Sequence, residues 1–212
     1  MSVVVKNEII DSIKSGDLKF KPALDSLQFR PHAVDLRLGF EFRIPKRTFK
    51  SNGRSAVSLD HLAINDGHFS HYEDIKLNPG QFFDLLPGEW VMGFSLEEVH
   101  IKSPTLMAVL YPRSSVNRRG LSVDLTGIVD TGYKGNLMIP IHNTTAMQVI
   151  RIYPGERICQ LVFERLEQPV REGYTGRYSK TSKYQPEKEQ KEIDLIRSGK
   201  IKDIKKEFKL VS

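Results

Sequence analysis

The chain has 212 residues, 39% of them hydrophobic and 27% charged, a profile that fits a water-soluble globular protein with one sizeable core. No apolar stretch reaches the roughly 18 to 20 residues of a membrane-spanning helix, and the start MSVVVKNEIID lacks the order of a secretory leader, so a cytoplasmic protein without membrane attachment is expected. The formal net charge of +6 suits a polyanionic ligand, but the cations are spread along the chain, which argues against nucleic acid and favours a small phosphorylated molecule.

The first predicted element is a short amphipathic helix in VKNEIIDSIKSG, where Val5, Ile9, Ile10 and Ile13 recur at helical spacing and Gly16 ends the run. From about residue 17 the pattern becomes that of short strands. In RPHAVDLRLG, Asp35 stands within an alternating apolar strand that prefers uncharged residues. Runs rich in branched and aromatic residues follow: WVMGFSL (90–96), LMAVLY (106–111), LMIPIH (137–142), MQVIRIY (147–153) and RICQLVF (157–163). Pro79-Gly80, Pro87-Gly88, Pro112, Gly132 and Pro154-Gly155 separate them, which predicts an all-β barrel, sandwich or jelly roll. The lone Cys159 lies in the last of these runs, where packing explains it and neither a disulfide nor a cysteine zinc site is available to it. After Val170 the chain turns polar, with Tyr174, Tyr178 and Tyr184 as aromatic anchors in a flexible segment. Residues 186–212 are densely charged, with Ile193, Leu195, Ile196, Ile201, Ile204 and Phe208 available for a helical face. The expected organisation is a β domain over 1–170, an arm over 171–185 and a charged, helical extension over 186–212.

Several chemistries are absent. There is no GxxxxGK[ST] loop, no GxGxxG after a strand and no HExxH, and one cysteine cannot supply the PCxxC of a zinc deaminase. YPRSSVNRRGL (111–121) offers two hydroxyls and three arginines, a grouping suited to phosphate oxygens because arginine donates as a fork and serine donates without bulk. In TGIVDTGYKGN, Asp130 has two readings: a turn-former before Thr-Gly, or a carboxylate that takes a proton from an attacking water.

Four segments in this order resemble the motifs of the dUTPase and dCTP deaminase superfamily: AVDLRLG (33–39), PRSSVNRRGL (112–121), GIVDTGYKGN (127–136) and PGERICQLVF (154–163). The N-terminal helix, the LRLG form of the first motif and PGEWVMGFSLEEV are more similar to the deaminase branch. The resemblance implies a distorted jelly-roll β-barrel, mainly β, assembled as a homotrimer with shared sites. It gives Asp130 the task of orienting the water that attacks the α-phosphorus, and Tyr133 that of packing under the sugar. It assigns Ser114 and Ser115 to the triphosphate, Arg113 or Arg118 to its charge, and Gln160 to phosphate or the attacking water. Asp35 would hold Mg²⁺ through water. The turn from Val123 to Val129, including Gly127, would read the base, and is one residue shorter than the resemblance implies. Tyr178 would stack on the base, and Lys183 or its basic neighbours would bind phosphate from the closing arm.

One departure stands out within this resemblance. The deaminase branch carries a glutamate proton carrier at the position that Pro140 fills here, and proline offers neither acid nor base. His142 shares the face of Pro140 and is the one residue in the strand that can replace it. The sequence therefore leads first to Mg²⁺-dependent hydrolysis of dUTP to dUMP and pyrophosphate. A dCTP deaminase, alone or combined with diphosphatase activity, and a non-catalytic nucleotide sensor are the alternatives.

Overall fold

The computed structural model describes residues 2–45, 72–123, 127–174 and 186–208. After a two-residue strand β1 (Ser2–Val3), helix α1 covers Lys6–Ser15. The Glu8 carboxylate accepts from the Val5 N–H at 3.1 Å, and Gly16 at φ 82° ends the helix with its N–H on the Ile13 carbonyl. Ile9 is the helix residue buried against the barrel.

The strands are β2 (Leu18–Lys21), β3 (Val34–Pro45), β4 (Tyr72–Lys76), β5 (Phe83–Leu85), β6 (Trp90–Ile101) and β7 (Leu106–Pro112). A four-residue helix α2 (Ser114–Asn117) precedes β8 (Leu121–Val123), β9 (Gly127–Val129), β10 (Lys134–Asn143), β11 (Ile150–Ile152) and β12 (Arg157–Arg165). All pairings are antiparallel. The large sheet runs β8-β10-β6-β3-β12-β7-β9, with β1 on β12, β2 on β6 and β4 on β3, and β11 pairs with β5 separately.

Strand β3 joins the two halves of this curled sheet. Its first residues pair with β12, Asp35 opposite Gln160, while its later ones pair with β6 and β4. The period of two decides which side chains enter the core. In β6, Val91, Val99 and Ile101 face inward, and in β10, Leu137, Ile139 and Ile141 do so. Phe163 of β12 is fully buried and meets Phe20 edge-on at 6.4 Å, while Phe42 stacks on Phe83 at 5.4 Å. This is the expected mainly β, jelly-roll-like fold.

The differences in detail have local causes. The expected strand over 147–153 shrinks to Ile150–Ile152, because Met147 is 90% exposed and Asn143 and Thr145 bond the Gln148 carbonyl into a turn. Strand β6 extends past the predicted end to include Glu97 and Glu98, since a buried network supports the first of them. The C-terminal extension forms two helices, α3 (Pro186–Arg197) and α4 (Ile201–Glu207), separated at Gly199 with φ 70°. No described helix is long and apolar enough to cross a membrane.

Candidate functional site

The expected phosphate-binding segment leaves β7 at Pro112 and enters α2. Arg113 is the residue before this helix, Ser114 and Ser115 are its exposed first turn, and Val116 plugs the core beneath them. Gly120, at φ 83°, reverses the chain into β8, and its N–H reaches the Asn117 carbonyl. Two hydroxyls are thus presented to solvent on a short turn whose apolar side is fixed. Arg118 is exposed beside them, and Arg119 pairs with Glu156 at 3.1 Å.

Asp35 lies beneath this turn, fully buried. Its Oδ2 receives Arg30 at 2.8 Å, Arg113 at 3.2 Å and Arg157 at 3.4 Å. A buried carboxylate needs such partners, since an unpaired ion in the interior is strongly disfavoured. Arg113 also donates to the Arg157 carbonyl at 2.8 Å, and Arg157 to the Leu27 carbonyl at 2.6 Å. Burial first, and then the facing arginines Arg157, Arg30 and Arg119, push the Arg113 guanidinium below its usual range. Gln160 sits opposite Asp35 on one side and Tyr111 on the other, on the same face of the sheet. The structure therefore brings Asp35, Arg113 and Gln160 together and places the two serines just beyond them.

These residues do not fit a magnesium ion held on Asp35, as the sequence led one to expect. Oδ2 is taken by three cations, and Oδ1 is shut from solvent with no hydrogen-bond partner among the described residues. A hydrated ion that keeps its waters has no approach to either oxygen, and three guanidinium groups would repel it. No cluster of three His, Cys, Asp or Glu side chains suited to a metal occurs among the described residues.

Asp130 follows β9 at a turn and its side chain is exposed, whereas its carbonyl accepts from the Tyr133 N–H at 3.1 Å. Gly132 makes the turn at φ 82°. Tyr133 is 6% exposed, its hydroxyl donates to the Asn136 carbonyl, and burial pushes its phenol well above the usual range. Tyr174 packs on it with ring centroids 5.7 Å apart, and the Tyr174 N–H reaches the Thr131 carbonyl at 2.7 Å. The chain after β12 thus returns to the Asp130 turn. Gly127 begins β9 opposite Leu110. Tyr178 and Lys183 lie outside the described residues, as do the central residues of the Val123–Val129 turn.

Within one chain the two parts are separated. Val129 pairs with Ala108 near the start of β7, and Arg113 follows its far end. At about 3.3 Å per residue, the Asp130 level and Arg113 are roughly 20 Å apart along the strand. Strand β8 pairs with β10 and β9 with β7, and Val123 opposite Ile141 is the last described pair of β8. Pro140 lies just beyond that pair and faces outward with His142, which stands between Trp90 and Ser122.

Three charged contributors were not named from the sequence: Arg30, Arg157 and Glu97. Arg30 closes on Asp35 from outside the motifs, and the signal for it was the need of a buried acid for a nearby cation. Glu97 is 1% exposed, accepting from the Gln28 amide at 2.7 Å and the Arg37 N–H at 3.0 Å, and burial raises its carboxyl above the ordinary value. Its phase with Val91 and Val99 along β6 already pointed it inward.

Residues 3–166 match the family described as dCTP deaminase-like. The chain is similar to a dCTP deaminase, dUMP-forming, of Sulfurihydrogenibium sp. (strain YO3AOP1), with 35% identity covering 78% of this chain and 85% of that one. It is similar to a second of that name from Methanosphaera stadtmanae, with 29% identity over 94% of this chain and 100% of the other. The crystal structure of 2′-deoxycytidine 5′-triphosphate deaminase from Agrobacterium tumefaciens shares the fold, with a TM-score of 0.57 and 22% identity over 77% of this chain and 48% of that chain.

Proposed function

The chain belongs to the dCTP deaminase-like family, and from that premise we propose that it is a dUMP-forming dCTP deaminase. In this reaction dCTP and two water molecules yield dUMP, ammonia and pyrophosphate. The observation that carries the reading is the similarity to relatives named for that conversion, which extends over 85% and 100% of their lengths. It corrects the dUTP diphosphatase to which the sequence led first. That reading rested on Pro140, and the relatives' names outweigh the loss of one acid at one position.

In the proposed reaction Arg113, Ser114, Ser115 and Arg118 bind the triphosphate, and any magnesium arrives on the phosphate oxygens rather than on Asp35. The base enters where β8 leaves β10. One water adds at the cytosine 4-position and the amine departs after taking up a proton. Pro140 cannot move that proton, so we assign it to His142 on the same face, whose imidazole offers one nitrogen that accepts a proton and one that donates. A second water, oriented by Asp130, attacks the α-phosphorus and pyrophosphate leaves. Because Asp130 and the phosphate donors stand at opposite ends of β7, the turn of one copy works with α2 of a neighbouring copy, in a homotrimer.

Incubation with dCTP and Mg²⁺, followed by chromatography and an ammonia assay, tests the reading. Ammonia and dUMP are expected from the wild type, and the His142→Gln variant is expected to lose ammonia release. Intact dCTP beside consumed dUTP would overturn the deaminase reading, and unchanged ammonia release by the variant would remove His142 from its role.

A further inference from the structure

Three guanidinium groups from three separate parts of the chain meet on a single carboxylate oxygen, more positive charge than one carboxylate neutralises. Here Arg30, Arg113 and Arg157 all reach Oδ2, so the cluster remains strongly cationic. Asp35 has no exposed side-chain surface, while the side chains of Arg30, Arg113 and Arg157 keep 39%, 20% and 26% of theirs. The negative charge is sealed inside, while each of the three arginines keeps part of its side chain exposed, next to the hydroxyl turn that Arg113 begins.

We propose that Asp35 is a positioning residue that gathers Arg30, Arg113 and Arg157 into one clamp for a polyphosphate chain, and that Arg30 belongs to the binding surface although it lies outside the recognised motifs. The nucleotide reading above supplies the ligand's identity; the clamp itself rests on the geometry. Without the central carboxylate the three like charges repel one another and splay. Arg113 then loses its anchor, and Ser114 and Ser115 lose their fixed starting point. With the carboxylate in place, the guanidinium forks are held before a ligand arrives, so less of the binding energy is spent on ordering them.

The test is calorimetric binding of inorganic tripolyphosphate to the full chain, which requires no turnover and so separates this proposal from the deaminase assignment. Arg30→Gln, at a side chain 39% exposed, is expected to weaken binding about tenfold, the loss of one charge-assisted contact. Asp35→Asn supplies a test of sign. Removing a negative charge from beneath an anion site would by itself tighten binding, whereas loss of positioning weakens it, and weakening is expected. Circular dichroism and melting curves establish that each variant is folded; if Asp35→Asn does not fold, Arg30→Gln decides. In turnover, Arg30→Gln is expected to raise KM for dCTP more than it lowers kcat. Tighter tripolyphosphate binding by folded Asp35→Asn, or unchanged affinity in Arg30→Gln, would overturn the proposal.

Discussion

Replacing Gly132 by alanine probes the contact that ties the chain after β12 to the Asp130 turn. Gly132 has φ +82°, and a Cβ there would lie 3.1 Å from the Gly173 Cα and 3.2 Å from the Tyr174 nitrogen, both backbone atoms that cannot rotate away. The left-handed conformation alone costs an alanine about 1 kcal/mol. Displacing residues 173 and 174 also breaks the 2.7 Å bond from the Tyr174 N–H to the Thr131 carbonyl, adding about 1 kcal/mol and some lost packing against Tyr133. The total is about 2–3 kcal/mol, which in a protein of this size lowers the melting temperature by about 4–12 °C. Gly80 is the control: its φ is +87° and nothing lies within 4 Å of its Cβ position. Gly80→Ala therefore carries only the conformational cost, about 2–4 °C. Differential scanning calorimetry of both variants separates strain from contact. Equal shifts in the two would refute the packing of residues 173 and 174 on the Asp130 turn.

Asp130→Asn leaves the turn intact, because the backbone carbonyl rather than the carboxylate makes the recorded bond to Tyr133. Pyrophosphate release from dCTP is expected to fall by about 10²–10⁴-fold with little change in melting temperature, and retained turnover would show Asp130 to be a turn-former only. Burial, followed by Lys134, Lys102 and Lys19, lowers the His100 imidazole from its ordinary value of 6.5. The unfolded chain then binds the extra proton first, so this contribution to stability is present above about pH 6.5 and lost as pH falls through the folded-state value. Melting curves of His100→Gln are expected to show a flatter decline below that pH, and an unchanged decline would contradict the assignment. Asn143 is fully buried and donates to the Leu85 and Gln148 carbonyls while accepting from the Thr145 N–H. Asn143→Leu strands these groups and is expected to cost about 3–5 kcal/mol in urea unfolding; a loss under about 1 kcal/mol would contradict the network.

The strands were legible where one face is apolar. LMAVLY and RICQLVF became β7 and β12 nearly as read, because alternation places Ala108, Leu110, Leu161 and Phe163 in the core. The end of β6 was not legible, since its two glutamates resemble a loop until Gln28 and Arg37 are seen to satisfy the inner one. The site was legible as segments and not as contacts. Asp35, Arg113 and Gln160 could be named from their motifs, but the closing of Arg30 and Arg157 on one oxygen depends on how β3, β7 and β12 lie side by side. For the same reason a magnesium site was expected where the fold places an ion-pair hub. Pro140 removes one proton carrier from β10, and similarity extending over residues 3–166 weighs more than that one position.

Ammonia and pyrophosphate measured together, as the purified protein consumes dCTP with Mg²⁺, decide whether it is a dUMP-forming deaminase. Both are expected in equal amounts, with dUMP as the nucleotide product. Pyrophosphate without ammonia, leaving dCMP, or stable binding of dCTP with neither product would rule that activity out.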